Sequence, residues 1–220
     1  MGRSPAPRHP LGLAGIRARD WLVPLASLAL AFVLGEAVAE GHPPALDQQL
    51  LAWVGHHITG QLQDALVLVY RLTGKAFTPV LVLISIVFLA LRRRWRDLAL
   101  LCACTGGILL IVDLLLKPLF DRSRPPDGLI PLDGRSFPSG HAAGSIAFYV
   151  VMVVILSVDH PRRRLPLALI ASAWVALIWL STLVVRAHWP SDLIAGGAVG
   201  LAWLSLCLAG WRTIPWPLRR

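Results

Sequence analysis

The sequence predicts an all-α membrane protein, a bundle of six transmembrane helices. Hydrophobic residues fill 56% of its 220 positions and charged residues only 15%, less charge than a soluble domain of this size carries. The apolar residues also fall into six long runs separated by short charged segments, which is the pattern of membrane spans. Finally, the arginines cluster in alternate connections rather than in all of them.

The runs are 21–39, 76–91, 98–116, 142–158, 165–185 and 193–209. Most approach the roughly 20 residues that a helix needs to cross about 30 Å of hydrocarbon. The second and fourth are short and are expected to extend into their flanks. The chain then divides into a poorly ordered cytoplasmic tail (1–20), one six-helix domain (21–210) and a cytoplasmic C-terminal tail (211–220). Residues 46–54, Leu-Asp-Gln-Gln-Leu-Leu-Ala-Trp-Val, carry apolar residues at helical spacing and predict a short amphipathic helix on the outer surface. Ala37-Val38-Ala39 resembles a signal-peptidase site, but the run before it is long, so a retained anchor is expected.

The formal charge of +9 serves orientation. Arg3, Arg8, Arg17 and Arg19 precede the first span, and Arg92, Arg93, Arg94 and Arg96 follow the second. Arg162, Arg163 and Arg164 follow the fourth, and Arg212, Arg219 and Arg220 end the chain. The positive-inside rule makes these segments and both termini cytoplasmic. Nucleic-acid binding is set aside, because no recognition motif accompanies the basic segments. Cys102, Cys104 and Cys207 lie within spans and read as buried small apolar residues rather than metal ligands. Tryptophans near span ends, Trp21, Trp95, Trp189 and Trp211, fit interfacial belts.

Two connections break the charge pattern, and both emerge on the outer side. The first holds Lys117, Arg122 and Arg124 within eight residues. Such cations either snorkel to the membrane edge or bind an anion, and the arginine fork suits phosphate. Asp113, four residues before Lys117, is expected to pair with it. Further on, Pro138-Ser139-Gly140-His141 opens the fourth span. Free N–H groups at a helix start form an anion site, Gly140 permits close approach, and Ser139 adds a hydroxyl. His141 is then either a satisfied core histidine or a proton donor beside that anion. The second connection holds Arg186, His188 and Asp192. Pro190 suits the first helical position. His188 and Asp192, four apart, share a helix face. Asp192 either caps the helix or fixes the imidazole tautomer so that the other ring nitrogen is free to attack. Together, cations, a helix-start pocket and a His–Asp pair supply what phosphoryl transfer needs.

Lys117, six residues, Arg124-Pro125, then Pro138-Ser139-Gly140-His141, then His188, three residues, Asp192 resembles the three-part signature of the type 2 phosphatidic acid phosphatase family. That family shares its site with vanadium-dependent haloperoxidases. The resemblance spans about residues 46–205 and implies a site at the outer end of the bundle. It implies that Lys117, Arg124, Ser139 and the Gly140 amide bind phosphate, with Arg122 a secondary contact. His188 would attack phosphorus and form a phosphohistidine, Asp192 would orient it, and His141 would protonate the leaving group. It implies no metal and no cofactor. The family's arginine six residues before the second histidine is here Thr182. Arg186, one helical turn on, is the expected replacement.

The expected activity is hydrolysis of a lipid phosphate or diphosphate, with undecaprenyl diphosphate the first candidate, then phosphatidic acid and phosphatidylglycerophosphate. The expected setting is a bacterial inner membrane, with membrane lipids as the surroundings and no obligate protein partner. Two alternatives remain at this stage. One is a lipid phosphotransferase using the same intermediate. The other is a non-catalytic phosphate-lipid binding or transport protein.

Overall fold

A computed structural model describes residues 18–39, 43–74 and 77–213. These form eight helices: α1 Arg19–Ala39, α2 Ala45–His57, α3 Gly60–Thr73, α4 Phe77–Leu91, α5 Trp95–Phe120, α6 Gly140–Ser157, α7 Arg164–Val184 and α8 Pro190–Thr213. No strand occurs among the described residues. Helices α1, α5, α6, α7 and α8 are each long and apolar enough to cross a membrane. Helices α3 and α4 lie at 45° to each other across a short break, and the pair is a sixth candidate span if both halves cross as one. On that count the run at 76–91 extends back onto α3. Arg3, Arg8, Arg17, Arg219 and Arg220 lie outside the described residues, as do Lys75 and Ala76.

Helix α8 is the hub. It packs against α1, α2, α5 and α6, while α7 covers α3 and α6. Between helices in lipid there is no hydrophobic driving force, so close approach through small residues supplies the attraction. Helix α8 supplies that surface with Ala195, Gly196, Ala198, Gly200 and Ala202, all buried. A Cβ on Gly196 would overlap the Ser139 carbonyl, and one on Gly200 would overlap the Ala143 carbonyl. The start of α6 thus lies directly on α8. Away from this seam, Leu89, Leu101, Phe148, Val151, Ile155 and Leu204 fill the space between α4, α5, α6 and α8.

The arginine-rich connections gather at one end of the bundle. Arg94 bridges Asp97 at 2.5 Å and Asp159 at 3.5 Å, joining the α4–α5 and α6–α7 connections. Arg96 donates to the Trp211 carbonyl and lies 4.3 Å over that indole ring. The unusual connections, 121–139 and 185–189, lie at the other end, where α5 and α7 finish.

Some expectations change. Cys102 is exposed on the outside of the bundle rather than buried, because its face of α5 turns toward lipid; Cys104 is buried as expected. Trp189 is not an interfacial residue: it is buried, and its indole donates to the Ser123 carbonyl at 3.1 Å. Two helices contain wider π-type turns, at Leu110–Leu116 just before Lys117 and at Ile146–Val150 after His141.

Because α8 and α6 touch through backbone, Gly196→Ala is expected to lower stability by about 1–3 kcal/mol through overpacking. Gly210→Ala, where a Cβ meets nothing within 4 Å, is expected to be neutral. Thermal unfolding of the purified protein in detergent measures both.

Candidate active site

The two outer connections are laced together by backbone. The Leu129 amide donates to the Val185 carbonyl at 3.2 Å, and the Ser139 amide donates to the Asp192 carbonyl at 3.0 Å. The guanidinium of Arg124 crosses the gap, with Nη1 donating to the Ala187 carbonyl at 2.6 Å and Nε to the Asp133 carbonyl at 3.3 Å. Buried backbone groups need such partners, so each connection fixes the other.

Ser139 caps α6, its Oγ accepting from the Ala142 amide at 3.3 Å. The Ala142 and Ala143 amides of the first turn are thus both taken by Ser139. The Gly140 Cβ position lies 3.8 Å from Lys117 Nζ, so the cation at the end of α5 stands against the start of α6. Lys117 also donates to Asp113 Oδ1 at 2.6 Å, the pair expected from their spacing.

His188 is 2% exposed. Its Nδ1 lies 2.8 Å from the Ser136 carbonyl and 3.5 Å from Asp192 Oδ2. A carbonyl only accepts, so Nδ1 carries the proton and the Nε2 lone pair is free. The nearer anchor is thus a backbone carbonyl, with the Asp192 carboxylate alongside. Burial pushes the His188 pKa below the usual histidine range, and Asp192 opposes that shift without cancelling it. The His141 ring lies 6.1 Å from the His188 ring, centroid to centroid, and stacks on Tyr70 at 5.0 Å. The charges of Arg124 and Lys117 bear on His141.

Asp192 caps α8 and lies beside the imidazole, whose nearer partner is the Ser136 carbonyl. Its Oδ2 accepts from the Trp189 amide at 2.9 Å, capping α8, and also from the Ser136 hydroxyl. Its Oδ1 accepts from Arg122 Nη1 at 2.5 Å. Arg122 is buried, with Nη2 donating to Asp47 Oδ2 at 2.8 Å. Its guanidinium therefore braces two carboxylates and does not stand among the cations around Gly140.

The fold thus brings together Lys117, Arg124, Ser139, Gly140, His141, His188 and Asp192, from α5, α6, α8 and the connections between them. Arg186 stands apart. Its φ of 56° lies in the left-handed region, and its side chain reaches toward the Pro126 carbonyl at 3.4 Å and Asp127 at 3.9 Å. It lines a cavity of about 240 Å³ with Val54, Gly55, Gln63 and Leu129, none of them from the set above. Thr182, at the position where the arginine was expected, is fully buried and donates to the Trp179 carbonyl at 2.7 Å. The helical relation of positions 182 and 186 does not hold, because α7 ends at Val184 and the chain turns.

Sequence reading missed Ser136, Asp47 and Tyr70. Ser136 had a faint signal in its closeness to the Pro138–His141 motif. Asp47 and Tyr70 had none, since α2 and α3 reach the site only through folding. Among the described residues, no group of three or more His, Cys, Asp or Glu is arranged to hold a metal ion.

Residues 97–216 match the PAP2 superfamily. Among solved structures, the chain is similar to a transmembrane PAP2-type phosphatidylglycerolphosphate phosphatase from Bacillus subtilis. The TM-score is 0.78 at 22% identity, covering 87% of this chain and 97% of that one. No curated protein sequence matches.

Breaking a buried ion pair from one side strands the remaining charge. Arg122→Met, which leaves Asp47 and Asp192 facing each other, is expected to cost about 3–5 kcal/mol. It should appear as a large drop in the unfolding temperature in detergent.

Proposed function

The chain belongs to the PAP2 superfamily, and from that premise we propose a membrane-embedded phosphatase that acts on a lipid phosphate or diphosphate through a phosphohistidine at His188. The observation that carries this reading is the 2.8 Å approach of His188 Nδ1 to the Ser136 carbonyl, which sets the tautomer. With Nδ1–H held by the Ser136 carbonyl, Nε2 is an unprotonated nucleophile in a buried, cation-lined site.

The steps follow from the residues. Lys117, Arg124, the Ser139 hydroxyl and the Gly140 amide hold the phosphoryl oxygens and stabilise the charge that builds on them. The Nε2 atom of His188 attacks phosphorus as the bond to the leaving oxygen breaks. His141 donates a proton to that oxygen. Asp192 stabilises the positive charge that the ring gains on phosphorylation. Water then attacks the phosphohistidine, giving its proton back to His141 and releasing phosphate. Arg122 serves this scheme as a brace, and Arg186 lies outside it.

The substrate class follows from position. The residues of the site gather where α5 and α7 end; with that end of the bundle at headgroup level, a phosphate can reach them while its tail stays in the bilayer. Phosphatidic acid, phosphatidylglycerophosphate and undecaprenyl diphosphate all meet this demand. Arg92, Arg93, Arg94, Arg96, Arg162, Arg163 and Arg164 mark the opposite end as cytoplasmic by the positive-inside rule. The active site then faces the outside of a bacterial cell membrane, with both termini inside.

Phosphate release from these three lipids, measured in detergent with a chelator present, tests the reading. His188→Ala is expected to lose at least about 1,000-fold in kcat. His141→Ala is expected to lose about 10²–10⁴-fold, the range for a general acid. Release that needs added divalent metal, or that survives His188→Ala, overturns the mechanism.

The pH dependence has a definite sign. A nucleophile must be neutral, and a pKa below the ordinary value of about 6.5 keeps it neutral to lower pH. The acid limb of the kcat/KM profile, which reports the free enzyme, is therefore expected at lower pH than a solvent-exposed histidine would give.

A further inference from the structure

We propose that Asp47, on the surface helix α2, is a positioning residue for the nucleophile, acting through Arg122 and Asp192. The inference rests on the phosphatase reading of His188.

Helix α2 has two faces. Leu46, Leu50 and Trp53 are exposed on one, while Asp47, Leu51 and Val54 are buried on the other. An acidic residue in a first turn is ordinarily explained by the helix dipole, which asks only for an exposed carboxylate. Asp47 is 3% exposed. It spends its oxygens on other elements: Oδ1 accepts from the Ser191 amide at 2.8 Å, and Oδ2 accepts from the Ser191 hydroxyl at 2.5 Å and from Arg122 Nη2 at 2.8 Å. Burying a carboxylate is costly unless it is paired and hydrogen-bonded. Leu51 and Val54 bury the apolar side of this face, and the buried charge beside them needs a separate account.

The geometry gives the charge a use. One guanidinium is shared by two carboxylates, Nη1 on Asp192 Oδ1 at 2.5 Å and Nη2 on Asp47 Oδ2 at 2.8 Å. With His188 neutral, the cluster keeps one net negative charge. Asp47 draws the guanidinium toward α2, so Arg122 does not fully neutralise Asp192. Asp192 is left with negative charge on the side facing His188, where the ring becomes positive on phosphorylation. The Ser191 hydroxyl, which accepts from Arg122 Nη1 at 2.8 Å while donating to Asp47, fixes the guanidinium plane. A chain of contacts thus runs from α2 to the imidazole through Arg122 and Asp192.

The test uses the full-length chain in detergent micelles with phosphatidic acid, comparing Asp47→Asn, Asp47→Glu, Asp192→Asn and the double variant Asp47→Asn/Asp192→Asn. Leu50→Ala, on the exposed face of the same helix, is the control. Asp47→Asn is expected to lower kcat about tenfold with KM changed less than about twofold, since the effect lies in the transition state. Asp47→Glu should keep more kcat than Asp47→Asn. Residues acting along one chain are not additive, so the double variant should fall within about twofold of Asp192→Asn alone.

A second readout needs no turnover. In histidine-labelled protein, the His188 ring-nitrogen NMR resonances, assigned with His188→Gln, should shift in Asp47→Asn and not in Leu50→Ala. If the wild type releases no phosphate from any lipid, the phosphatase reading fails while the resonances still decide the relay. Should Asp47→Asn not fold, Ser191→Ala, which keeps both charges, is expected to lower kcat and move the same resonances. The proposal is overturned if kcat of Asp47→Asn stays within twofold of wild type, if the losses multiply in the double variant, or if the resonances stay put.

Discussion

A single buried carboxylate governs the half of this bundle where α5 and α7 end. Asp192 is fully enclosed at the start of α8, and its two oxygens take donors from three directions: the Trp189 amide behind it, the Ser136 hydroxyl from the long connection, and Arg122 from the end of α5. A buried charge with any of these missing is costly. The carboxylate therefore dictates that the long connection folds back over α8. That same closure sets the Ser136 carbonyl against His188 and fixes which ring nitrogen is free.

This arrangement requires that helices meet at very short range. Helix α8 presents small residues exactly where α6 begins, and Gly196 lets the Ser139 carbonyl rest on its backbone. The same contact lets the Ser139 amide donate to the Asp192 carbonyl. Packing and the placing of the site are thus one feature here: the seam that holds two membrane helices together also aligns the start of α6 with the histidine on the next connection. The wider turns in α5 and α6 flank this seam, one ending at Lys117 and the other following His141.

The two ends of the bundle use arginine differently. At the basic end, Arg94 is matched by Asp97 and Asp159, and Arg96 by the Trp211 ring and carbonyl. At the other end, Arg124 is held by two backbone carbonyls and, among the described residues, bonds to no carboxylate. A carbonyl positions a guanidinium without cancelling its charge, which leaves it available to an anion. Arg122, two residues earlier, is fully committed to carboxylates, so neighbours in sequence have opposite uses.

The span pattern and the three motifs were legible in the sequence because each is local: apolar run length and residues at helical spacing. His188 and Asp192 could be paired from a separation of four, and Lys117 with Asp113 likewise. What folding alone decided was which distant groups share one small space. The commitment of Arg122 to Asp47 joins positions 75 residues apart, and Tyr70 reaches His141 across the bundle; no spacing rule carries such contacts. Arg186 misled the reading for the same reason: α7 stops at Val184, so the helical geometry assumed for positions 182 and 186 is absent. Sequence fixes what each segment can become, whereas the burial of a charge and the partners it must find depend on all segments at once.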